Sequence, residues 1–264
     1  MSALKFTWRG LILALCVVQA YMAHSQIIEG VLLERYHVAP PAVPNGSPLV
    51  TYRIYLDLAS DHILQHIYGD EKNTLTLRTS TTFFNDTLNG AVFGERINAA
   101  QLNAYPAALD SWFGVGFCSS RHKAVPLHLD PDGSTLTCPP YQVIPASREP
   151  QAGNSYSLCE RDGMVEVERI PGSISLQLTT GYLDNILGGL IEGSNTAWGV
   201  LGGVKGATEE NMVLIAQLTT DGEVTYVLNA QVRTPEGVVV RCTARPTENR
   251  EECYYPVLRN DQGN

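Results

Sequence analysis

MVLIAQLTTDGEVTYVLNAQV, residues 212–232, is the stretch that indicates the fold class of this chain. Two runs of β-branched and aliphatic residues flank the turn sequence TDG at 220–222, which predicts a β-hairpin. A two-residue turn would pair Thr220 with Glu223, whereas a three-residue loop with its glycine left-handed would pair Thr219 with Glu223. We expect the three-residue loop, because only this register gathers a wholly apolar face, and a shift of one residue reverses every side chain. That face comprises Met212, Leu214, Ala216, Leu218, Val224, Tyr226, Leu228, Ala230 and Val232, and the opposite face is expected to be mostly solvated.

The segments before this hairpin sequence have the same β character. VTYRIYLDL at 50–58 alternates apolar and polar residues, which is typical of a strand. Similar runs occur at 27–38, 63–70 and 74–84, with turn residues between them. Proline limits any helix in 96–109 to a short one. We therefore expect an all-β fold, an antiparallel β-sandwich with at most short helices, rather than alternating strands and helices.

The first residues have the features of a secretory signal. A basic start and an apolar run at 11–20 precede small residues at the ends of AHS, 23–25. The apolar run is about half of the ~20 residues that a membrane span needs. The sequence predicts a signal peptide at 1–25 and one β-sandwich domain at 26–264.

The charge balance is acidic. The chain has 18 Lys and Arg residues against 27 Asp and Glu residues, and Lys5 and Arg9 lie in the signal segment, which leaves 16 against 27 and a net charge of −11. Acidic surfaces without clustered basic residues repel phosphate backbones, so we expect no nucleic-acid partner. We expect no transmembrane segment either, since no second long apolar run follows. The expected location is extracellular or at a cell surface, with an extracellular protein or glycan as partner.

Cysteine usage agrees with an oxidising compartment. No mature cysteine belongs to a CxxC pair, so a zinc site is not indicated. Cys242 and Cys253 flank the polar stretch TARPTENREE between two strand-like runs, and we expect a disulfide across it. Prolines and cysteines interrupt any periodicity in 117–160, which predicts a long, disulfide-stapled surface insertion. The remaining mature cysteines, whose pairing stays open, are Cys118, Cys138 and Cys159.

Two groups of residues have the composition of metal ligands. Asp130, Asp132 and Ser134 share the alternate spacing of the first ligands of a calcium loop. A proline intervenes and the closing glutamate is missing, so an ordinary turn is the expected structure. His62 and His66 stand four residues apart, but the pair lacks the glutamate of a zinc protease. We therefore expect no cofactor.

The aromatic residues allow a different hypothesis. Trp112 and Trp198, with Tyr182 and Phe113, would form a sugar-stacking platform if they were exposed together, because aromatic faces cover the apolar side of a pyranose. Packing in the core is the alternative that we expect. A hydrolase would need an activated nucleophile beside a base, and the sequence contains no GxSxG motif.

Several stretches resemble a group of secreted β-rich modules found in surface and gliding-associated proteins of Bacteroidota. They are VTYRIYLDL, LQHIYGD, STTFFND, AALDSWFGVG and, most specifically, TAWGVLGGVKGATEENMVLIAQLTTDGEVTYVLNAQV. The resemblance covers most of residues 28–232 and implies a surface role, with no catalytic residues. Such modules often precede a type IX sorting domain, which does not follow Cys253 in this sequence. DTL at 86–88 resembles the O-glycan acceptor motif of the same bacteria, and would mark a surface loop.

Together these features predict a secreted, non-enzymatic β-sandwich of the cell surface or extracellular matrix, with an adhesion or scaffolding role. The first alternative is a carbohydrate-binding module that uses exposed tryptophans, and the second is a secreted hydrolase. An exposed set of aromatic residues would favour the sugar binder. A cleft that holds a metal or a nucleophile would favour the enzyme.

Overall fold

A computed structural model describes residues 26–39, 46–102, 106–129, 163–167, 172–176 and 188–261. The strands are β1 (Ile28–Ala39), β2 (Leu49–Leu58), β3 (Ile63–Gly69), β4 (Leu75–Thr79), β5 (Trp112–Phe113), β6 (His122–Ala124), β7 (Met164–Glu166), β8 (Ser173–Leu176), β9 (Leu190–Gly193), β10 (Thr196–Val204), β11 (Met212–Thr220), β12 (Val224–Val227), β13 (Ala230–Arg233), β14 (Val239–Thr243) and β15 (Glu252–Tyr254). Short 3-10 helices occupy Gly94–Arg96, Ala99–Gln101, Pro106–Leu109, Leu127–Leu129 and Pro256–Leu258. The predicted β class, with only short helices, is confirmed for these residues. None of the described helices is long and apolar enough to cross a membrane.

The strands form four sheets. The first sheet has the order β1-β2-β11-β5, and the second has the order β15-β14-β13-β3-β10-β8. A third sheet, β12-β4-β9, and a two-stranded sheet, β6-β7, complete the described part. The paired strands are antiparallel, as predicted, except for β14 and β15, which run parallel.

The second and third sheets are two halves of one longer ribbon. Each of the chain segments β3–β4, β9–β10 and β12–β13 passes from one sheet to the other and keeps the same neighbours. The buried Asn229 lies where β12 gives way to β13. Its Nδ2 donates to the carbonyls of Tyr68, at 3.2 Å, and Asn73, at 2.8 Å, and its Oδ1 accepts from the Ala244 N–H at 3.2 Å. One amide thus ties three chain segments together at the bend.

The predicted hairpin at 212–232 is wrong. β11 lies between β2 and β5 in the first sheet, whereas β12 pairs with β4 in the third. The TDG turn therefore carries the chain between two sheets. The predicted solvated face is wrong for β11, which is buried on both faces, and Thr219 is satisfied inside, with its Oγ1 2.8 Å from Thr51 Oγ1. Beyond the turn, Glu223 is exposed and Thr225 is partly exposed, as expected. Alternation fixes the direction of each side chain but does not choose the partner strand.

A β-bulge at Ile215 divides the predicted apolar face. Leu214 and Ala216 pair with consecutive residues of β2, so Ile215 is an extra residue. Val213 and the bulge residue Ile215 face the main core, and after the bulge Ala216 and Leu218 do. Leu214 packs on the other side of the sheet. The single face expected from the sequence is therefore split between two hydrophobic clusters.

The main core is shared by the first three sheets. It includes residues of β2, β3, β4, β10, β11, β12 and β13, with Leu228 fully buried among them. A second cluster covers the opposite face of the first sheet and contains Tyr55, Trp112 and Leu214. The alternation predicted for 50–58 is confirmed, since Ile54, Leu56 and Leu58 join the main core.

The disulfide predicted to hold the insertion at 117–160 is not confirmed. Residues 130–162, with Cys138 and Cys159, lie outside the described residues, as does the expected signal peptide at 1–25. No disulfide joins the cysteines that the structure describes. Cys242 and Cys253 are nevertheless direct partners in the register of β14 and β15.

Candidate functional site

A wide bulge in β10 creates a cleft on the six-stranded sheet. Gly199 pairs with His66 and Val204 pairs with Leu64, so four residues of β10 lie opposite the single residue Gln65 of β3. Two of these four are the glycines at 202 and 203, with φ of 84° and 78°, a conformation that L side chains rarely adopt. Bulges of this kind redirect a strand and often lie beside functional sites.

The cleft has a volume of about 220 Å³. Gly199 forms part of its wall, and a Cβ at this position would collide with the Gln65 carbonyl and the His66 side chain. Leu201, on the bulge, contributes an apolar side chain that is 75% exposed. The double-glycine bulge therefore shapes the cleft, and the missing side chain at Gly199 lets β10 approach β3 closely at its wall.

Three polar side chains converge on this cleft. Gln231 Nε2 donates to Gln65 Oε1 at 2.8 Å. His66 lies between Gln231 of β13 and Gly199 of β10 in the register of the sheet. Within the part of the chain that the structure describes, Gln65 Nε2, Gln231 Oε1 and the ring nitrogens of His66 make no hydrogen bond to protein. These groups are available to a ligand.

The electrostatics of the cleft favour a neutral histidine. Burial lowers the pKa of His66, and the positive charge of Arg241 lowers it further. The ring packs edge-on against Tyr68, with centroids 5.9 Å apart. A neutral imidazole offers one donor and one acceptor.

A polar row continues from the cleft across the sheet. Glu252, Arg241, Gln231 and His66 are successive partners on β15, β14, β13 and β3. Arg241 is an ion-pair partner of Asp70, and it also lies 3.9 Å from Glu252. Its guanidinium lies 4.5 Å from the Tyr68 ring centroid. The only cation in the row is therefore neutralised by neighbouring carboxylates among the described residues.

The tryptophans do not form the platform that the sequence allowed. Trp112 and Trp198 are each 1% exposed. Trp198 stacks on Phe113 at 4.4 Å, and its Nε1 donates to the carbonyls of Gly114 and Ile215, both at 3.2 Å. The expected core packing is confirmed for both indoles, since each is 1% exposed and each packs in a hydrophobic cluster, whereas the backbone acceptors belong to Trp198 alone. Tyr182 lies outside the described residues.

The structure brings no predicted metal ligands together. Asp130, Asp132 and Ser134 lie outside the described residues. In the described ranges, no three His, Cys, Asp or Glu side chains are arranged to hold a metal ion. His62 is buried with its Nδ1 3.1 Å from the Ala59 carbonyl, whereas His66 lines the cleft.

One serine–histidine pair has the residue types of a hydrolase. Ser119 Oγ lies 2.6 Å from His122 Nδ1. Ser119 is fully buried, however, and its Oγ also accepts from the Arg121 N–H at 3.2 Å. A nucleophile must reach its substrate, so we assign this pair to stabilising the turn before β6.

A second concave surface lies on the outer face of the three-stranded sheet. This groove has a volume of about 520 Å³, and Thr225 and Arg78 of neighbouring strands face it together with Glu192, Glu223 and Arg245. Its charges have both signs, in contrast to the neutral cleft. In DTL at 86–88, Thr87 and Leu88 are exposed in a separate turn, whereas Asp86 is buried.

The cleft residues were missed in the sequence. His66 was considered only with His62, and Gln65 and Gln231 have no motif of their own. The available signal was the glycine pair at 202–203 inside a strand-like run, since glycine within a strand marks a bulge or a close approach.

Comparisons of the chain with protein-family models, with curated proteins and with solved structures give no match. The support for a function therefore comes from the chemistry of the residues described above.

Proposed function

We propose that this protein is a secreted β-sandwich module that binds an extracellular ligand through the cleft on its six-stranded sheet. It acts without turnover, in adhesion or scaffolding at a cell surface or in an extracellular matrix. The observation that carries this proposal is the convergence of Gln65, His66 and Gln231 on one cleft, with hydrogen-bonding groups that no described residue occupies.

The shared core supports the sandwich architecture. The first sheet contributes one side of the main cluster, and the ribbon formed by the second and third sheets contributes the other. Two antiparallel layers that bury their inner faces against each other are the arrangement of a β-sandwich. The cleft then lies on the outer face of the larger layer.

The sequence supports the location. The leader-like segment at 1–25 and the acidic charge agree with a secreted protein. The resemblance to modules of bacterial surface proteins points to the same compartment. Adhesive modules commonly act in arrays, in which linkage raises the effective concentration of weak sites.

Binding is favoured over hydrolysis by the groups that line the cleft. Amides of Gln65 and Gln231 orient a ligand through hydrogen bonds but do not form covalent intermediates. His66 is a base by type, yet the described residues that line the cleft with it are amides, glycines and apolar residues. The arrangement is that of a recognition site.

The experiment uses residues 26–264 purified from secreted material. Binding to immobilised extracellular matrix proteins and cell-surface polysaccharides is measured by surface plasmon resonance, beside a screen of ester, peptide and glycoside substrates. We expect saturable binding that Gln65→Ala combined with Gln231→Ala weakens by about tenfold or more, while Thr225→Ala in the separate groove has no effect. Turnover that survives repurification would refute the proposal. Binding that the double cleft variant leaves unchanged would also refute it.

A further inference from the structure

The free hydrogen-bonding groups of the cleft are mixed in kind. Gln65 Nε2 is a donor, Gln231 Oε1 is an acceptor, and neutral His66 supplies one of each. The amide pair fixes both glutamine side chains by a 2.8 Å hydrogen bond. A ligand that satisfies this set must itself carry several donors and acceptors within a short distance.

The cleft also selects against a strongly charged ligand. Burial and Arg241 keep His66 in its neutral form, as its lowered pKa indicates. Arg241 is already paired with Asp70 and stacked on Tyr68, so it is not a free anion-binding group. A neutral polar ligand matches this environment better than a phosphate or a carboxylate.

The size of the cleft restricts the ligand to one small unit. Its 220 Å³ is below the ~300–1,000 Å³ of sites for drug-sized molecules. Leu201 adds an exposed apolar side chain beside the polar groups. A sugar ring combines the two properties, because its hydroxyl groups both donate and accept while its C–H faces are apolar.

An extended peptide fits the cleft less well. Peptides commonly bind β-proteins by adding a strand to a free sheet edge. β3, which provides Gln65 and His66, is paired with β13 on one side and with β10 on the other. β3 therefore has no free edge, so side chains rather than strand addition must recognise the ligand.

We infer that the cleft binds a single neutral sugar residue of a glycan, held by Gln65, His66 and Gln231, with Leu201 against an apolar ring face. This inference rests on the proposed function and specifies its ligand class. Trp198 borders the cleft, but its indole is buried and stacked on Phe113, so neither tryptophan offers a ring face to the ligand.

The test is a glycan array of neutral and acidic oligosaccharides, followed by isothermal titration with the best neutral probe. Because the ligand is expected to hydrogen-bond to the cleft, Gln231→Leu and His66→Ala should each raise the Kd by about tenfold. Thr225→Ala serves as the control, and unchanged thermal midpoints show that the cleft variants fold. The two tryptophans also provide an internal fluorescence readout of folding.

The outcomes separate this inference from the proposal on which it rests. Cleft-dependent binding of neutral glycans supports both. Cleft-dependent binding of a matrix protein or peptide, with a silent neutral array, overturns the sugar assignment and leaves the binding function standing. Glycan binding that is equal in wild type and cleft variants overturns the assignment of the site, and absence of any cleft-dependent ligand overturns both.

Discussion

Arg53 donates its Nε–H to Gln217 Oε1 at 3.0 Å, across the neighbouring strands β2 and β11. Both side chains are buried, although Gln217 belongs to the face of 212–232 that the sequence predicted to be mostly solvated. The guanidinium lies 3.4 Å from the ring centroid of Tyr36, and its Nη1 donates to the Gly163 carbonyl at 3.3 Å. A buried cation is tolerated when its donors are satisfied in this way.

Gln217 extends the same network to a third segment. Its Nε2 donates to the carbonyls of Ala108 and Asp110, both at 2.9 Å. The two side chains together connect the first sheet to the segment at 106–110, which contains a 3-10 helix, and to the segment at 163–167. They therefore hold the layer that covers this face of the sheet.

The first prediction concerns the geometry of the guanidinium. Arg53→Lys keeps the charge but loses the planar stacking and the Nε donor, so it should reduce the free energy of unfolding by roughly 2–4 kcal/mol. Urea denaturation measures the change. The control is Arg78→Lys on the exposed outer face, which should change stability by no more than about 0.5 kcal/mol. Equal losses in the two variants would contradict the assigned network.

The second prediction concerns the main core. Leu228→Asp buries an unpaired carboxylate at a fully buried position, and should cost several kcal/mol. Thr225 lies three residues away on the partly exposed outer face, so Thr225→Asp should reduce the free energy of unfolding by about 1 kcal/mol or less. Equal denaturation midpoints for the two proteins would show that the assigned faces of β12 and its continuation are incorrect.

The third prediction concerns the bend between the second and third sheets. Asn229→Asp replaces a donor that serves two carbonyls by an oxygen, and should destabilise the protein by roughly 2–4 kcal/mol. Asn195→Asp, at an exposed position between β9 and β10, is the matched control and should have little effect. Chemical denaturation measures the stability of both variants. An Asn229→Asp protein as stable as the Asn195→Asp control would contradict the role assigned to the Asn229 hydrogen bonds.

The fourth prediction concerns pH. Burial, with a smaller contribution from the charge of the neighbouring Asp86, raises the pKa of Asp110 to about 8, against about 3.9 in an unfolded chain. The folded state therefore binds more protons between these values, so the contribution of this group to stability falls as pH rises from about 4 to about 8.

Asp110→Asn removes the titrating group and should flatten that part of the pH dependence, although it also weakens hydrogen bonds from the N–H groups of Asp86 and Ala91. The measurement is the denaturation midpoint of both proteins at several pH values across this range. Parallel curves for the wild type and the variant would exclude Asp110 as the source.

The fifth prediction is a Cys242–Cys253 disulfide in secreted material. The two residues are direct partners on the adjacent strands β14 and β15, which places their Cα atoms within the range that a disulfide spans. Burial raises the pKa of Cys242, so we expect the more exposed Cys253 to supply the reactive thiolate. Non-reducing peptide mapping should recover the linked pair. Two alkylatable thiols in oxidised, secreted protein would rule it out.

The sequence predicted strands better than it predicted their neighbours. The alternation at 50–58 correctly gave both faces of β2, because side-chain period depends on local geometry. The stretch at 212–232 correctly contained strands, but their partners depend on segments far away in the chain. The bulge at Ile215 also has no local signature, and it reverses the faces beyond it. Burial of Trp198 was expected, whereas its backbone acceptors were not predictable.

The candidate site was less predictable than the fold. Gln65 and Gln231 are separated by 165 residues and meet only because β3 pairs with β13. Neither residue type is distinctive by itself. The glycines at 202 and 203 were the available signal of an irregular backbone, but the sequence did not show which strand would lie beside it.

The position of β2 between β1 and β11 has a consequence for how this chain folds. β1 and β2 are close in sequence and can pair early, but 153 residues separate the end of β2 from the start of β11. Closing such a long loop is entropically costly, and proteins dominated by distant strand pairs fold slowly, on the order of milliseconds to seconds. During that interval the edge of β2 is unpaired and open to intermolecular association. Refolding yield should therefore fall as protein concentration rises. The loss is expected to come from molecules that aggregate before β11 pairs with β2.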